Sequence, residues 1–411
     1  MIGVLFWLFV ASVVYTYAGY PLLLWALARF RRQPGPFEPA TPPVTLLIAA
    51  FNEERIIAQK IENSLALDYP HNQLQILVAD DGSDDDTRYI IQRYAAQGVE
   101  LSYNPPRRGK IGAINRAMAQ ARGKIVVFSD ATNIYQPNVL RELIAPFADP
   151  TVGAVTGARS IVEGDGALGE SEGLYWKYES FIQQQETRLG SCTAAAGDIL
   201  AVRRTLFEPP PDNVVIDDFY MIMRLIKRGY RVFHAPNART SERVSLTAQH
   251  EVERRARMIA GRYQAISMAG SLLPFNRPLI VWQVVSHKFM RPLVPLAMIG
   301  ALVMNGWAVA FPPAAGGSTL LRLAAPFNWM MLSLQALFYA LAGVGNLVER
   351  RSGIGRALYL PAFLVNSNFA ALIGLFRFLT KGQSTLWSRA PRRNDLQGTA
   401  QGGTAQSNDK S

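Results

Sequence analysis

The 411-residue sequence has one cysteine, Cys192, and four histidines, His71, His234, His250 and His287, scattered without metal-ligand spacing. A single thiol excludes an intrachain disulfide and a cysteine-based metal centre. A small buried hydrophobe is the role left to it. Charge is missing from the start of the chain: residues 1–28 carry no charged side chain, and then Arg29, Arg31 and Arg32 come in quick succession. That stretch has no basic leader and is longer than the apolar core of a signal peptide. It exceeds the roughly 20 residues a helix needs to cross a bilayer. A membrane anchor is expected, with its basic flank holding the central region of the chain in the cytoplasm, at the inner (plasma) membrane.

Three later runs are also free of charge: 292–321, 323–348 and 357–376. Pro312, Pro313, Gly316 and Gly317 interrupt the first, which places the end of its span near Phe311. One anchor before and two crossings after the central region keep Arg32, Lys288, Arg291, Arg350, Arg351 and Arg356 on the cytoplasmic side. If 357–376 spans, the tail with Lys381, Arg389, Arg392 and Arg393 lies outside. If it is re-entrant, the tail stays inside. Length favours spanning.

The chain as a whole is 49% hydrophobic and 18% charged, which fits a soluble domain joined to membrane helices. The net charge of +11 comes from short clusters at Arg29–Arg32, Arg107–Lys110, Arg254–Arg257, Arg350–Arg351 and Arg389–Arg393. Four of the five lie near apolar runs or next to candidate binding segments. They argue for membrane orientation and phosphate binding, and against a nucleic-acid partner.

Between these runs the pattern alternates. Apolar strands are expected at 44–50, 74–80, 99–104, 124–130, 152–157, 199–204 and 230–235, with amphipathic helices between most of them. Such alternation predicts an α/β domain with a mainly parallel sheet. The expected organisation begins with an anchor at 1–30, a Pro-rich linker at 31–43, and the α/β domain at 44–248. It ends with an amphipathic interface segment at 249–288, transmembrane helices at 289–378 and a basic, disordered tail at 379–411.

Ligands of parallel sheets bind beyond the carboxyl ends of the strands. There the sequence places Asn52-Glu53-Glu54, Asp80-Asp81-Gly82-Ser83 and Asp130-Ala131-Thr132. Each alone is ordinary turn and cap chemistry. Three together at one sheet edge point to a site.

The run IAAFNEERIIAQKIENSLALDYPHNQLQILVADDGSDDDT resembles the start of an inverting family 2 glycosyltransferase with a GT-A (Rossmann-like) fold. The resemblance continues through RRGKIGAINRAMAQARGKIVVFSDATNIYQP, CTAAAGDILAVRR, IDDFYMIMRLIKRGYRV and RRARM, over roughly 44–260. With its flanking apolar runs, the chain is similar to the membrane-bound polysaccharide synthases of that family. The resemblance implies a nucleotide-sugar-dependent hexosyltransferase that uses a UDP-sugar and acts on a growing polysaccharide or a lipid-linked acceptor among membrane lipids.

By the same resemblance, Asp80 and Asp81 bind the uracil and ribose, Glu54 and the Ala50–Phe51 backbone line that pocket, and Lys110 meets the diphosphate, with Asn115 nearby. Asp130 matches the first acid of the DxD motif, which implies Mg2+ or Mn2+ on the donor diphosphate. Thr132 replaces the second acid, so coordination would rest on Asp130 with Thr132, Asn133 and phosphate oxygens. Asp217-Asp218 matches the motif that ends in the general base, which makes Asp218 the catalytic residue and Asp217 an acceptor-side group. Gly197 anchors a close-approach loop, Ala194–Gly197, near the acceptor. Arg254-x-x-Arg257-Met258 matches QxxRW with Arg for Gln and Met for Trp, so Arg254 and Arg257 are donor-binding candidates. Two other readings stay open: a non-catalytic glycosyltransferase-like scaffold, and a transporter with a nucleotide-sensing domain.

Overall fold

The computed structural model describes residues 1–32, 35–161, 166–242, 248–313, 318–348 and 353–380. The chain forms two compact units. One is built on a sheet and comprises Leu27–Glu251 with Ser267–Ile280. The other is helical and comprises Met1–Ala26, Val252–Ile266 and the helices beyond Val281.

In the sheet unit, the strands among the described residues are β1 (Val44–Ala50), β2 (Leu74–Asp80), β3 (Val99–Tyr103), β4 (Ile125–Asp130), β5 (Ile134–Tyr135), β6 (Val152–Ile161), β7 (Leu200–Arg203) and β8 (Arg231–Glu242). They form one sheet in the order β3-β2-β1-β4-β7-β6-β8-β5. The half from β3 to β4 is parallel throughout. In the other half β7 runs antiparallel to both β4 and β6, and β6 pairs in parallel with β8. The expected mainly parallel sheet is therefore correct for the first half and mixed in the second. β6 and β8 also run further than expected, through the polar stretches Ala158–Ile161 and Pro236–Glu242, because they pair with each other beyond a bulge.

Every residue of β1 is buried. Such near-continuous apolar runs mark parallel strands covered on both faces. Leu46 and Ile48 pack with Ile57 and Ile61 of the helix Ile57–Leu65, and with Val78 and Val127 of the neighbouring strands. Thr45 is the polar exception. Its hydroxyl donates to Gln75 Oε1 at 2.7 Å and accepts from Gly123 N at 2.9 Å, so nothing polar is stranded there. Gly123 lies so close that a Cβ on it would sit 2.3 Å from Thr45 N.

Among the described residues, four helices are long and apolar enough to cross a membrane: Ile2–Ala28, Pro278–Ala310, Phe327–Gly345 and Leu360–Leu379. The second ends at Ala310, as the Pro-Pro and Gly-Gly pairs foretold. It begins at Pro278, before the expected boundary at 289, because the helix runs on through His287 and Lys288. The first two helices each contain a π-helical turn, Tyr15–Gly19 and Val285–Phe289. Phe6 packs with Ala301 and Ala308, and the Phe9 ring lies against Gly300, so these helices pack side by side in opposite directions. The tail beyond residue 380 lies outside the described residues.

Gly123→Ala is expected to push β1 from its place and cost about 1–3 kcal/mol of stability. Thermal unfolding of the purified protein would show this as a lowered Tm. An unchanged Tm would mean that the β1–β4 edge yields freely.

Candidate active site

The first three strand ends converge as the topology requires. β1 lies between β2 and β4, with Asp80 in register with Ala50 and Asp130 in register with Ala49. The carboxyl ends of β2 and β4 thus flank the end of β1.

Asp80 is fully buried. Its Oδ1 accepts from Ser83 N at 2.9 Å and Ser83 Oγ at 2.6 Å, while its Oδ2 has no hydrogen-bond partner. Burial raises its pKa, and the two Ser83 bonds oppose that rise. Asp81, also buried, accepts from Arg108 N at 2.9 Å and Arg107 Nε at 3.3 Å. The Arg107 guanidinium lies 3.6 Å above the centre of the Phe51 ring, a cation–π contact that closes one side of the turn. Glu54 is exposed. Its carboxylate accepts from Asp86 N at 3.3 Å, and Glu53 is the buried residue of the pair.

Lys110, in the first turn of the helix Gly109–Met118, donates to Asp130 Oδ1 at 2.5 Å, and both side chains are about one-fifth exposed. Burial alone would lower the Lys110 pKa, but the fields of Asp130, Asp217 and Asp198 outweigh it and hold the ammonium charged. Asp217 is therefore close enough to act on the same cation. Asn115 faces Pro210, donating to its carbonyl at 3.3 Å.

Asp217 and Asp218 open the helix Asp217–Lys227, and the cap position belongs to Ile216, so neither carboxylate is an N-cap. Acids in a first turn suit the helix dipole. Asp218 Oδ2 accepts from Gly197 N at 3.1 Å and Oδ1 from Phe219 N at 2.7 Å. A Cβ on Gly197 would meet Asp218 Cβ at 3.3 Å. The small loop and the acid pair, 20 residues apart in sequence, thus hold one carboxylate between them.

Behind Asp130 lies a charged layer that strand patterns do not reveal. Asp198 and Arg159 form a buried ion pair at 2.5 Å, and Arg159 also reaches Glu242 at 3.7 Å. The Thr132 hydroxyl donates to Glu242 Oε1 at 2.9 Å, so β8 delivers an acid beside the position where the DxD motif lacks one. Asn133 is fully buried and spans the layer, donating to Asp198 O at 2.7 Å and accepting from Ser129 Oγ at 3.0 Å. Beneath it Lys60, also fully buried, donates to Asn133 O at 2.9 Å and stands 4.0 Å above the Tyr135 ring. Burial lowers the Lys60 pKa to about 7 against the pull of Asp130 and Asp198. His234 is buried against Ser180 and Cys192 is buried, as structural residues.

Arg254 and Arg257 lie on the helix Ala248–Ser267, within the stretch that belongs to the helical unit. Arg254 Nη1 stands 3.9 Å from Met258 Sδ, so the two residues that depart from the QxxRW pattern touch each other.

Residues 45–209 match the model of glycosyl transferase family 2. The chain carries a family 2 glycosyltransferase domain. It is 27% identical to a β-monoglucosyldiacylglycerol synthase of Synechocystis over 286 residues, 66% of this chain and 59% of that protein. It is 28% identical to a poly-β-1,6-N-acetyl-D-glucosamine synthase of Staphylococcus aureus over 204 residues, 47% of this chain and 48% of that protein. The matches therefore span between about half and three-fifths of these relatives' lengths. A mannosyltransferase from Pyrobaculum calidifontis, solved with GDP-Man and Mn2+, superimposes with a TM-score of 0.67 at 22% identity, covering 93% of this chain and 99% of that one. The family 2 domain has the GT-A fold, and its acidic strand ends are the edge described above.

Gly197→Ala is expected to displace the Asp218 carboxylate; with Asp218 as the base that the family resemblance implies, kcat should fall by about 10-fold or more with donor KM little changed. Donor-dependent turnover of the variant measures this. Asp80→Asn should raise Tm at neutral pH, because the ionised carboxylate is held there at a cost. With a folded pKa raised above the ordinary 3.8, the cost is largest at high pH and closes as pH falls toward that value. Tm compared across pH tests it, and a difference that grows toward acid would contradict the assignment.

Proposed function

We propose that the protein is a membrane-bound inverting glycosyltransferase that moves a sugar from a UDP-sugar to a lipid-linked or growing polysaccharide acceptor. On this proposal the catalytic domain faces the cytoplasm at the inner membrane, as the basic flank of the first helix favours. The observation that carries the proposal is the gathering of Asp80, Asp81, Lys110, Asp130 and Asp218 on one edge of a family 2 domain.

The orphaned Asp80 Oδ2 is a buried acceptor waiting for a donor, and a nucleobase imide N–H supplies one. Asp81 accepts from Arg107 Nε and from the Arg108 amide and so orders the turn. Lys110 carries positive charge to the place where a diphosphate would leave. Asp218 takes the proton of the acceptor hydroxyl as its oxygen attacks the anomeric carbon. The bond from that carbon to the diphosphate oxygen breaks on the opposite face, and UDP departs with the bonding pair.

For a metal, the described residues contain no group of three or more His, Cys, Asp and Glu that could hold one. They do offer the partly exposed Asp130 carboxylate, with the Thr132 hydroxyl two residues on, itself donating to Glu242. One carboxylate completed by phosphate oxygens and water is a usual way to hold Mg2+, and the donor set fits it. Asp130 and Thr132 would hold Mg2+ or Mn2+, and the ion would neutralise charge on the leaving diphosphate.

Purified protein given a panel of UDP-sugars, Mn2+ or Mg2+ and lipid should release UDP. Asp218→Asn should reduce that release by about 10²–10⁴-fold, the usual contribution of a general base. Undiminished release in the variant would remove Asp218 as the base, and no release with any donor would leave the scaffold reading standing.

A further inference from the structure

The two helices that carry π turns meet at those turns. Tyr15 Oη and Ser286 Oγ lie 2.8 Å apart, and Trp282 Nε1 donates to Tyr15 Oη at 2.9 Å. The Tyr20 ring packs edge-on against Trp282 and lies 6.0 Å from the His287 ring. A π turn inserts a residue and opens the backbone ladder, and single π turns within helices are frequent at functional sites. Here two coincide.

They enclose polar groups that a bundle of apolar spans does not need. Gln283, His287 and Arg291 recur every four residues along one helix, and all three are buried, Gln283 and His287 fully. Neither Nε2 nor Oε1 of Gln283 has a hydrogen-bond partner. A buried carboxamide with both ends unsatisfied costs on the order of 1–3 kcal/mol for each group. Around this stripe stand Tyr17, which accepts from Asn368 Nδ2 at 3.0 Å, and the cations of Arg291 and Arg262, both near enough to act on the Tyr17 hydroxyl. The residues come from four segments of the helical unit. That unit's sequence holds Glu253 and Glu349 as its only acids, against Arg254, Arg255, Arg257, Arg262, Lys288, Arg291 and further basic residues.

We propose that this polar cluster between the π turns binds the headgroup of an anionic phospholipid. The inference rests on the membrane-bound reading above but not on sugar transfer. The 21 residues Met290–Ala310 rise about 30 Å, the thickness of the hydrocarbon core. Arg291 therefore stands at one edge of the core when Ala310 stands at the other, at the depth of lipid phosphates. Basic pockets between spans on the cytoplasmic side are a recognised means of holding anionic headgroups. The Arg291 guanidinium would meet the phosphodiester oxygens. The Gln283 carboxamide, about 12 Å further from the core, would donate to a headgroup oxygen and accept from a headgroup hydroxyl, which satisfies both of its ends.

The test uses the full chain, purified in neutral detergent and stripped of lipid. Tm is measured after reconstitution with phosphatidylcholine alone, with added phosphatidylglycerol, and with phosphatidylcholine plus inorganic phosphate. Phosphatidylglycerol should raise Tm above phosphatidylcholine, and inorganic phosphate should not. Gln283→Leu changes no charge, so it leaves general attraction to anionic membranes intact. It should raise Tm in detergent, where it removes an unsatisfied group, and lose at least half of the phosphatidylglycerol increment. Gln283→Met replaces it if the leucine variant does not fold, and Arg291→Gln should abolish the increment. Equal increments in wild type and variants, or none in wild type, overturn the proposal. An equal effect of inorganic phosphate replaces the lipid with a free anion. Because the readout is Tm, the result stands whether or not UDP release is detected.

Discussion

Gathering carboxylates at one edge of a sheet is electrostatically costly, and the rest of the sheet unit is arranged around neutralising them. Asp81 is held by Arg107, Asp130 by Lys110 and Asp198 by Arg159. Each cation comes from a different element. The basic residues are thus distributed among the acids: Asp81 and Asp198 are buried with both oxygens bonded, and Asp130 stays partly exposed, held by Lys110 through Oδ1. Breaking one of the buried pairs would leave a charge stranded in low dielectric, an effect worth about 3–5 kcal/mol. The site is inseparable from the fold for that reason.

The mixed half of the sheet has its purpose here. Reversing β7 lets the loop before it, with Gly197 and Asp198, come back to the carboxyl end of β4. Asp198 then enters the layer below Asp130, and Gly197 reaches Asp218. The pairing of β8 with β6 and β5 brings Glu242 to the same place from the other side. Lys60 and Asn133 join the helix after β1 to the turn after β4.

Much of this was legible in the sequence, and the parts that were not share a cause. β1, β2 and β4 announced themselves as uninterrupted apolar runs, and the acids beyond them as a strand-end pattern. Strand direction carries no local signature, so the reversal of β7 within a mainly parallel sheet was not legible. The ends of β6 and β8 are polar because they pair beyond the core, and β5 is two residues long. Asp80, Asp130 and Asp218 stood in recognisable runs, whereas Lys60, Arg159, Asp198 and Glu242 are separated by tens of residues and have meaning only as partners. Of the neighbouring acids Glu53 and Glu54, the sequence does not tell which is buried, and the structure buries Glu53 and exposes Glu54. The helix from Pro278 was cut short because Lys288 looked like a boundary, while the buried stripe through Gln283 shows the helix continuing.

The register of β1 with its two neighbours sets a length. Asp80 pairs at Ala50 and Asp130 at Ala49, so the two acids are held apart by two strand spacings, about 10 Å. Hydrogen-bonded ladders do not stretch, so this separation works as a ruler built into the backbone. A molecule that satisfies both ends must carry its base-like group and its charged group at that separation. On the proposed function, changing side chains in the site can alter which base or which sugar is accepted. Accepting a substantially shorter or longer donor would require sliding a strand, and a slip of one residue turns every side chain on that strand to the wrong face.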